Sequence, residues 1–129
     1  MKPLLLTLLL ALALTGCHAP PGGQRWVRSE VYFGLTKPSG GVISPAEWEN
    51  FLAEVVTPEF PSGLSVFDAS GQWRNVTGHI DHEASRVLVL LHPPGADIEA
   101  KIDRIRAAYC QRFAQEAVMK VTTEVHVEF

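Results

Sequence analysis

The side chains able to do chemistry are few and scattered. Tyr32, Trp73, Arg74 and His126 form the candidate ligand-binding set. An arginine fork grips carboxylate or phosphate, and a neighbouring aromatic ring stacks on a planar group. The plainer roles are packing for Trp73 at a hairpin and a surface ion pair for Arg74. His79-Ile80-Asp81-His82-Glu83, with His92 further on, offers imidazoles and carboxylates to a divalent ion. That spacing fits no strong ligand motif, and along a strand His79 and His82 face opposite sides. Neither a metal nor a cofactor is expected. Cys110 is a half-buried filler on a helix unless a histidine base and an electropositive setting lie close to it. Asn75-Val76-Thr77 has the form of a glycosylation acceptor, and no role is read from it.

The other thiol, Cys17, stands in a different setting. Met1-Lys2 gives a positive start, and Leu4 to Leu14 gives a nearly unbroken apolar run. The run is too short for a permanent bilayer span of ~20 residues and suits a secretory signal peptide. Its ending, Leu14-Thr15-Gly16-Cys17, resembles the bacterial lipoprotein box, in which the cysteine is lipidated and becomes the mature N-terminus. The expected order is a signal peptide over 1–16, a Pro/Gly-rich tether over 17–24 and one domain over 25–129. Several acyl chains hold a membrane firmly where one does not. His18 is not the aspartate linked in such lipoproteins with inner-membrane retention, so the periplasmic face of the outer membrane is the expected location.

Charge agrees with anchoring by lipid. The 129 residues carry a formal charge of −3, and removing Lys2 with the leader leaves ten basic against fourteen acidic residues, or −4. Mild acidity excludes nucleic acid as a partner and argues against electrostatic docking on anionic lipid.

The elements that must position these residues follow from periodicity. Arg25 to Leu35 alternates as a strand, with Val27, Val31, Phe33 and Leu35 inward and Trp26, Arg28, Glu30 and Tyr32 outward. Ser44-Pro45-Ala46-Glu47 opens a helix by capping box, and Pro58 is expected to end it. Leu64 to Ala69 is a short strand turned back at Ser70-Gly71, with Gln72-Trp73-Arg74 beginning an extra hairpin arm. Arg86 to His92 is apolar on both faces and reads as an interior strand. Ala96 to Ala114 is a helix with its stripe on Ile98, Ile102, Ile105, Tyr109 and Phe113. In the last strand Met119, Val121, Val125, Val127 and Phe129 are expected inward, and Lys120, Thr122, Glu124 and His126 outward. The order β-α-β-β-α-β, with the extra arm, suggests an α+β, ferredoxin-like two-layer sandwich: an antiparallel sheet with two helices on one face.

Tyr32-Phe33-Gly34-Leu35, the Glu47-Trp48 helix, Val56 to Leu64, Gly71-Gln72-Trp73-Arg74 and Ala107-Ala108-Tyr109 with Arg112-Phe113 together resemble one bacterial family of small exported proteins. It is known only as a domain of unknown function, number 3574. The resemblance spans about Val31 to Val121 and implies a small α/β domain in the cell envelope. It implies no activity and no catalytic residue.

The leading expectation is therefore a non-catalytic envelope lipoprotein whose domain binds a small molecule or an envelope protein near the membrane. The alternative is a small cofactor-independent enzyme that works as a sheet-paired homodimer. Apolarity on both faces of Val87 to Leu91 favours pairing, because an open face leaves leucines wet.

Overall fold

A computed structural model describes residues 22–129. The leader, Cys17 and most of the tether lie outside the described residues. Four strands form one sheet: β1 (Gln24–Gly34), β2 (Ser65–Arg74), β3 (Ile80–His92) and β4 (Met119–Val127), in the order β2-β3-β1-β4. Every neighbouring pair is antiparallel. The helices are α1 (Pro45–Phe51), continued by a π-helical turn (Leu52–Val56) and α2 (Thr57–Glu59), and later α3 (Ala96–Phe113). None of them is long and apolar enough to cross a membrane. The domain is thus α+β, with an antiparallel sheet and its helices on one side.

Alternation in β1 sends Val27, Val31 and Phe33 to the covered side. There they meet Leu88 and Leu90 of β3 and the buried stripe of α3, Ile102, Ile105, Tyr109 and Phe113. The densest part is aromatic. Phe33 and Tyr109 have ring centroids 4.6 Å apart, Tyr109 and Phe113 4.8 Å, and Phe51 and Tyr109 5.1 Å. The tilted and edge-on contacts suit the ring quadrupoles. Tyr109 Oη donates to the Gly34 carbonyl at 2.8 Å, so the phenol among these rings is satisfied.

Helix α1 starts as its sequence prescribes. Glu47 N–H donates to Ser44 Oγ, and Glu47 Oε2 accepts from Ser44 N–H at 2.8 Å, a complete capping box. Pro58 does not stop the helix. Thr57 keeps helical geometry, and its N–H donates to the Leu52 carbonyl five residues back. A proline ring normally collides with the carbonyl four residues before it. The wider π turn moves the chain aside ahead of Pro58, and the helix runs on to Glu59.

Two further expectations are overturned. Ser70-Gly71 is not a turn and there is no extra arm. β2 runs straight through to Arg74, and the reversal falls at Asn75–His79. Asn75 Oδ1 accepts there from the backbone N–H of Thr77 and His79 and from the Thr77 hydroxyl. Gly78 supplies the left-handed residue, with φ 86°. A Ser-Gly pair carries the same turn signal, but here Gly71 simply pairs with Glu83.

The second correction is the side that β4 presents. Val31 pairs with Lys120 and Tyr32 with Met119. Directly opposed residues share a face, so Lys120, Thr122, Glu124 and His126 lie on the helix side. Met119, Val121 and Val125 share the open face with Tyr32, Glu30 and Trp26. Lys120 reaches Glu99 at 2.7 Å and Asp103 at 3.3 Å, both on α3. The apolar anchor is Val118, just before the strand and 3% exposed. A one-residue step in parity turns every side chain over.

Candidate functional site

The open face is organised by β1. Trp26, Arg28, Glu30 and Tyr32 emerge from it in a row, two residues apart and therefore ~7 Å apart. Tyr32 Oη donates to Glu30 Oε2 at 2.7 Å, and Arg28 Nε lies 2.7 Å from Glu30 Oε1. Both oxygens of Glu30 are thus engaged. The Tyr32 hydrogen bond, then the Arg28 charge, hold the Glu30 carboxyl below its ordinary range. The same bond pushes the Tyr32 phenol above its ordinary value. At neutral pH the cluster is one carboxylate, one guanidinium and one intact phenol. Such a carboxylate can face a cationic centre, while the single proton of the phenol is committed to holding that carboxylate in place.

Apolar residues flank this row. Across β3 stand Val87, Val89 and Leu91, and Phe67 of β2 lies beside Val87. Across β4 stand Met119, Val121 and Val125. At the Trp26 end is a hollow of about 390 Å³, lined by Trp26, Gly63, Leu64, Val89, Leu91 and Phe129 among others. Trp26 and Phe129 meet edge-on at 5.6 Å and form one wall. A flat, mostly apolar group fits such a slot.

Of the four residues proposed from sequence, only Tyr32 belongs to this cluster. Trp73 and Arg74 sit at the far end of β2, opposite Asp81 and Ile80. Trp73 is six residues beyond Phe67, which stands beside Val87 and so next to Tyr32, a separation of ~20 Å along the strand. Both are exposed. His126 pairs with Arg25 on the helix side, turned away from Tyr32. The partners that β1 does bring to Tyr32, namely Arg28 and Glu30, were visible as side chains of one face. What alternation did not show was that they bond to one another.

The described histidines do not converge. His79 lies 3.8 Å from Asp81 on the exposed turn. His92 is buried, 63 residues in sequence from its partner Ser29. Its Nδ1 is 2.8 Å from the Pro93 carbonyl, which can only accept, so Nδ1 carries the proton. In the neutral ring Nε2 then accepts from Ser29 Oγ at 3.0 Å. The pair satisfies two buried polar groups in the core. A serine at an inward position of β1, between Val27 and Val31, was its only signal in the sequence. Among the described residues no three histidine, cysteine or acidic side chains gather as a metal site. Cys110 is half-buried against the core.

A second hollow, about 420 Å³, opens on the helix side between the Lys37 loop and the C-terminus of α3. Lys37–Glu47 at 2.7 Å and Arg112–Glu54 at 2.9 Å are the ion pairs on its walls. The Lys37 bond and the two Ser44 bonds hold the Glu47 carboxyl down at about 2.

The family model described as "Protein of unknown function (DUF3574)" matches residues 28–129. No curated protein matches. Among solved structures, a phage SAM lyase in complex with S-methyl-5'-thioadenosine is similar, with TM-score 0.60 and 15% identity over 80% of this chain and 84% of that one. The same description without ligand, a phage SAM lyase in the apo state, gives TM-score 0.58 and 14% identity, covering 80% and 83%. At these identities the likeness is one of fold.

Proposed function

We propose that this chain, which belongs to the family described as "Protein of unknown function (DUF3574)", is a small cofactor-independent enzyme acting on a small molecule at its open sheet face. The observation that carries the reading is Glu30, kept ionised by Tyr32 and Arg28 on a mostly apolar face. The slot runs from Val89, directly opposite Glu30, to its Trp26 wall four residues along β1, ~13 Å from Glu30, room for a planar base with a sugar and a short tail. A substrate with a flat ring and a cationic centre, such as a sulfonium nucleoside, suits both ends. The shared fold with a phage SAM lyase lends support to the same substrate class. The strand order β2-β3-β1-β4 with two helical crossovers supports a ferredoxin-like arrangement of the domain. We hold the chain to be exported and lipid-anchored through Cys17, on the periplasmic face of the outer membrane. The leader and its lipoprotein-like ending support this.

The test is incubation of the full chain with S-adenosylmethionine, followed by chromatography for S-methyl-5'-thioadenosine. Glu30→Gln is expected to lower the rate ~100-fold, the scale of removing one aligned electrostatic group. Binding without turnover, seen as a thermal shift with S-methyl-5'-thioadenosine, would return the domain to the non-catalytic binding role. Neither turnover nor a shift with either compound would remove the nucleoside reading altogether.

A further inference from the structure

The open face is too apolar to be left in water. Phe67, Leu91, Met119 and Val121 stand on it at 57, 50, 56 and 40% exposure. With the Trp26 and Phe129 rings at the rim, the uncovered apolar area is of the order of 500–600 Å², at the upper end of what a monomer exposes in one patch. It approaches the ~800 Å² that each partner contributes to a standard interface.

The face is also neutral within itself. Arg28 and Glu30 cancel, Tyr32 spends its proton on Glu30, and neither charge needs a partner from outside. A macromolecular partner of either net charge finds no unpaired opposite charge on this face to recruit it, whereas a small cation can still sit against Glu30 itself. A partner that is itself apolar at the flanks and neutral in the middle matches the face, and an identical face meets that description.

We propose that this sheet face packs against the same face of a second copy of the chain. In that pairing the flanks, Phe67 and Leu91 on one side and Met119 and Val121 on the other, become a dry rim. The polar row lies between the rims. The Arg28–Glu30–Tyr32 cluster of each copy is then walled by the other sheet, which excludes water and strengthens its electrostatics. That this chamber is catalytic rests on the function proposed above; the pairing itself does not.

Native mass spectrometry of the full chain in detergent micelles tests the pairing without reference to turnover. The expected result is a mass of two chains at micromolar protein. Phe67→Glu combined with Met119→Glu is expected to give one chain with an unchanged circular dichroism spectrum, since both residues are largely exposed. Phe67→Leu is expected to keep the two-chain mass, which separates loss of the contact from loss of the fold. A one-chain mass for the parent protein would overturn the proposal and leave the face to the tether or to another protein. A two-chain mass that survives the double glutamate variant would overturn it as well, by putting the contact elsewhere. A paired chain that is inert towards S-adenosylmethionine would sink the enzyme and leave the interface standing.

Discussion

At the scale of single residues, charge placement does more here than charge number. Glu47 completes the capping box, bonds Lys37 and lines the helix-side hollow. Its carboxyl is held at about 2 against an ordinary 4.5, chiefly by Lys37 and then by Ser44. A folded-state value below the unfolded one means the stabilisation is complete above pH 4.5. It is lost as pH falls from 4.5 towards 2. Glu47→Gln is therefore expected to flatten the decline of the urea midpoint across that window and to leave the slope above pH 5 unchanged. Parallel curves for the two proteins between pH 4.5 and 2 would contradict this. The capping role of Glu47 was legible from Ser44-Pro45-Ala46-Glu47. Its bond to Lys37, ten residues away across a loop, was not, because nothing local in the sequence fixes that distance.

Among the elements, the β2–β3 hairpin has two parts with different support. Near the core, Val66, Leu88 and Leu90 pack beneath the helices. Beyond Gly71 both strands are largely exposed, and the Asn75 turn holds their end together. Asn75→Ala removes three accepted bonds and the Nδ2 bond to Asp81. Each such bond is worth ~1 kcal/mol at most in this exposed setting. The cost is expected to be local, as opening near the turn is separable from global unfolding. Amide exchange at Trp73, Asp81 and Glu83, whose N–H groups face across the hairpin, should quicken while the melting temperature moves by no more than about 2 °C. Equal acceleration at Val31 and Leu90 would show instead that the hairpin tip and the core open together. The sequence contains two turn signals in this region, Ser70-Gly71 and Asn75 with Gly78. Only the pairing of β2 with β3 over ten residues decides between them.

For the whole molecule, the proposed anchor and the open face have to be compatible. The described domain begins at Gly22, and β1 starts two residues later. A tether from Cys17 to Gly23 reaches at most ~25 Å, so a lipid on Cys17 keeps the domain beside the membrane. Lipidation predicts a mature chain beginning at Cys17, heavier than its peptide mass by a diacylglycerol thioether and an N-acyl group. Cys17→Ser is expected to abolish that mass and to move the protein from the membrane to the soluble fraction. An unmodified Cys17 in the membrane-bound chain would defeat the lipid reading. Sheet pairing places two tethers on one assembly, and two sets of acyl chains hold it more firmly than one.

The amino-acid sequence by itself determined the α+β class, both helix starts, the α3 stripe, the inward side of β1 and the interior place of Val87 to Leu91. Each of these is a local matter of capping geometry or period, which neighbouring residues settle among themselves. Tertiary structure decided what two distant segments settle jointly. The register of β4 against β1 turned Met119 and Val121 outward and sent Lys120 to α3. The π turn let Pro58 stay in a helix. The pairing of β2 with β3 carried Trp73 and Arg74 away from Tyr32 and left Arg28 and Glu30 as its companions. In β4 apolar residues on one face compete with a salt-bridging lysine on the other, and only the register against β1 settles which face is inside.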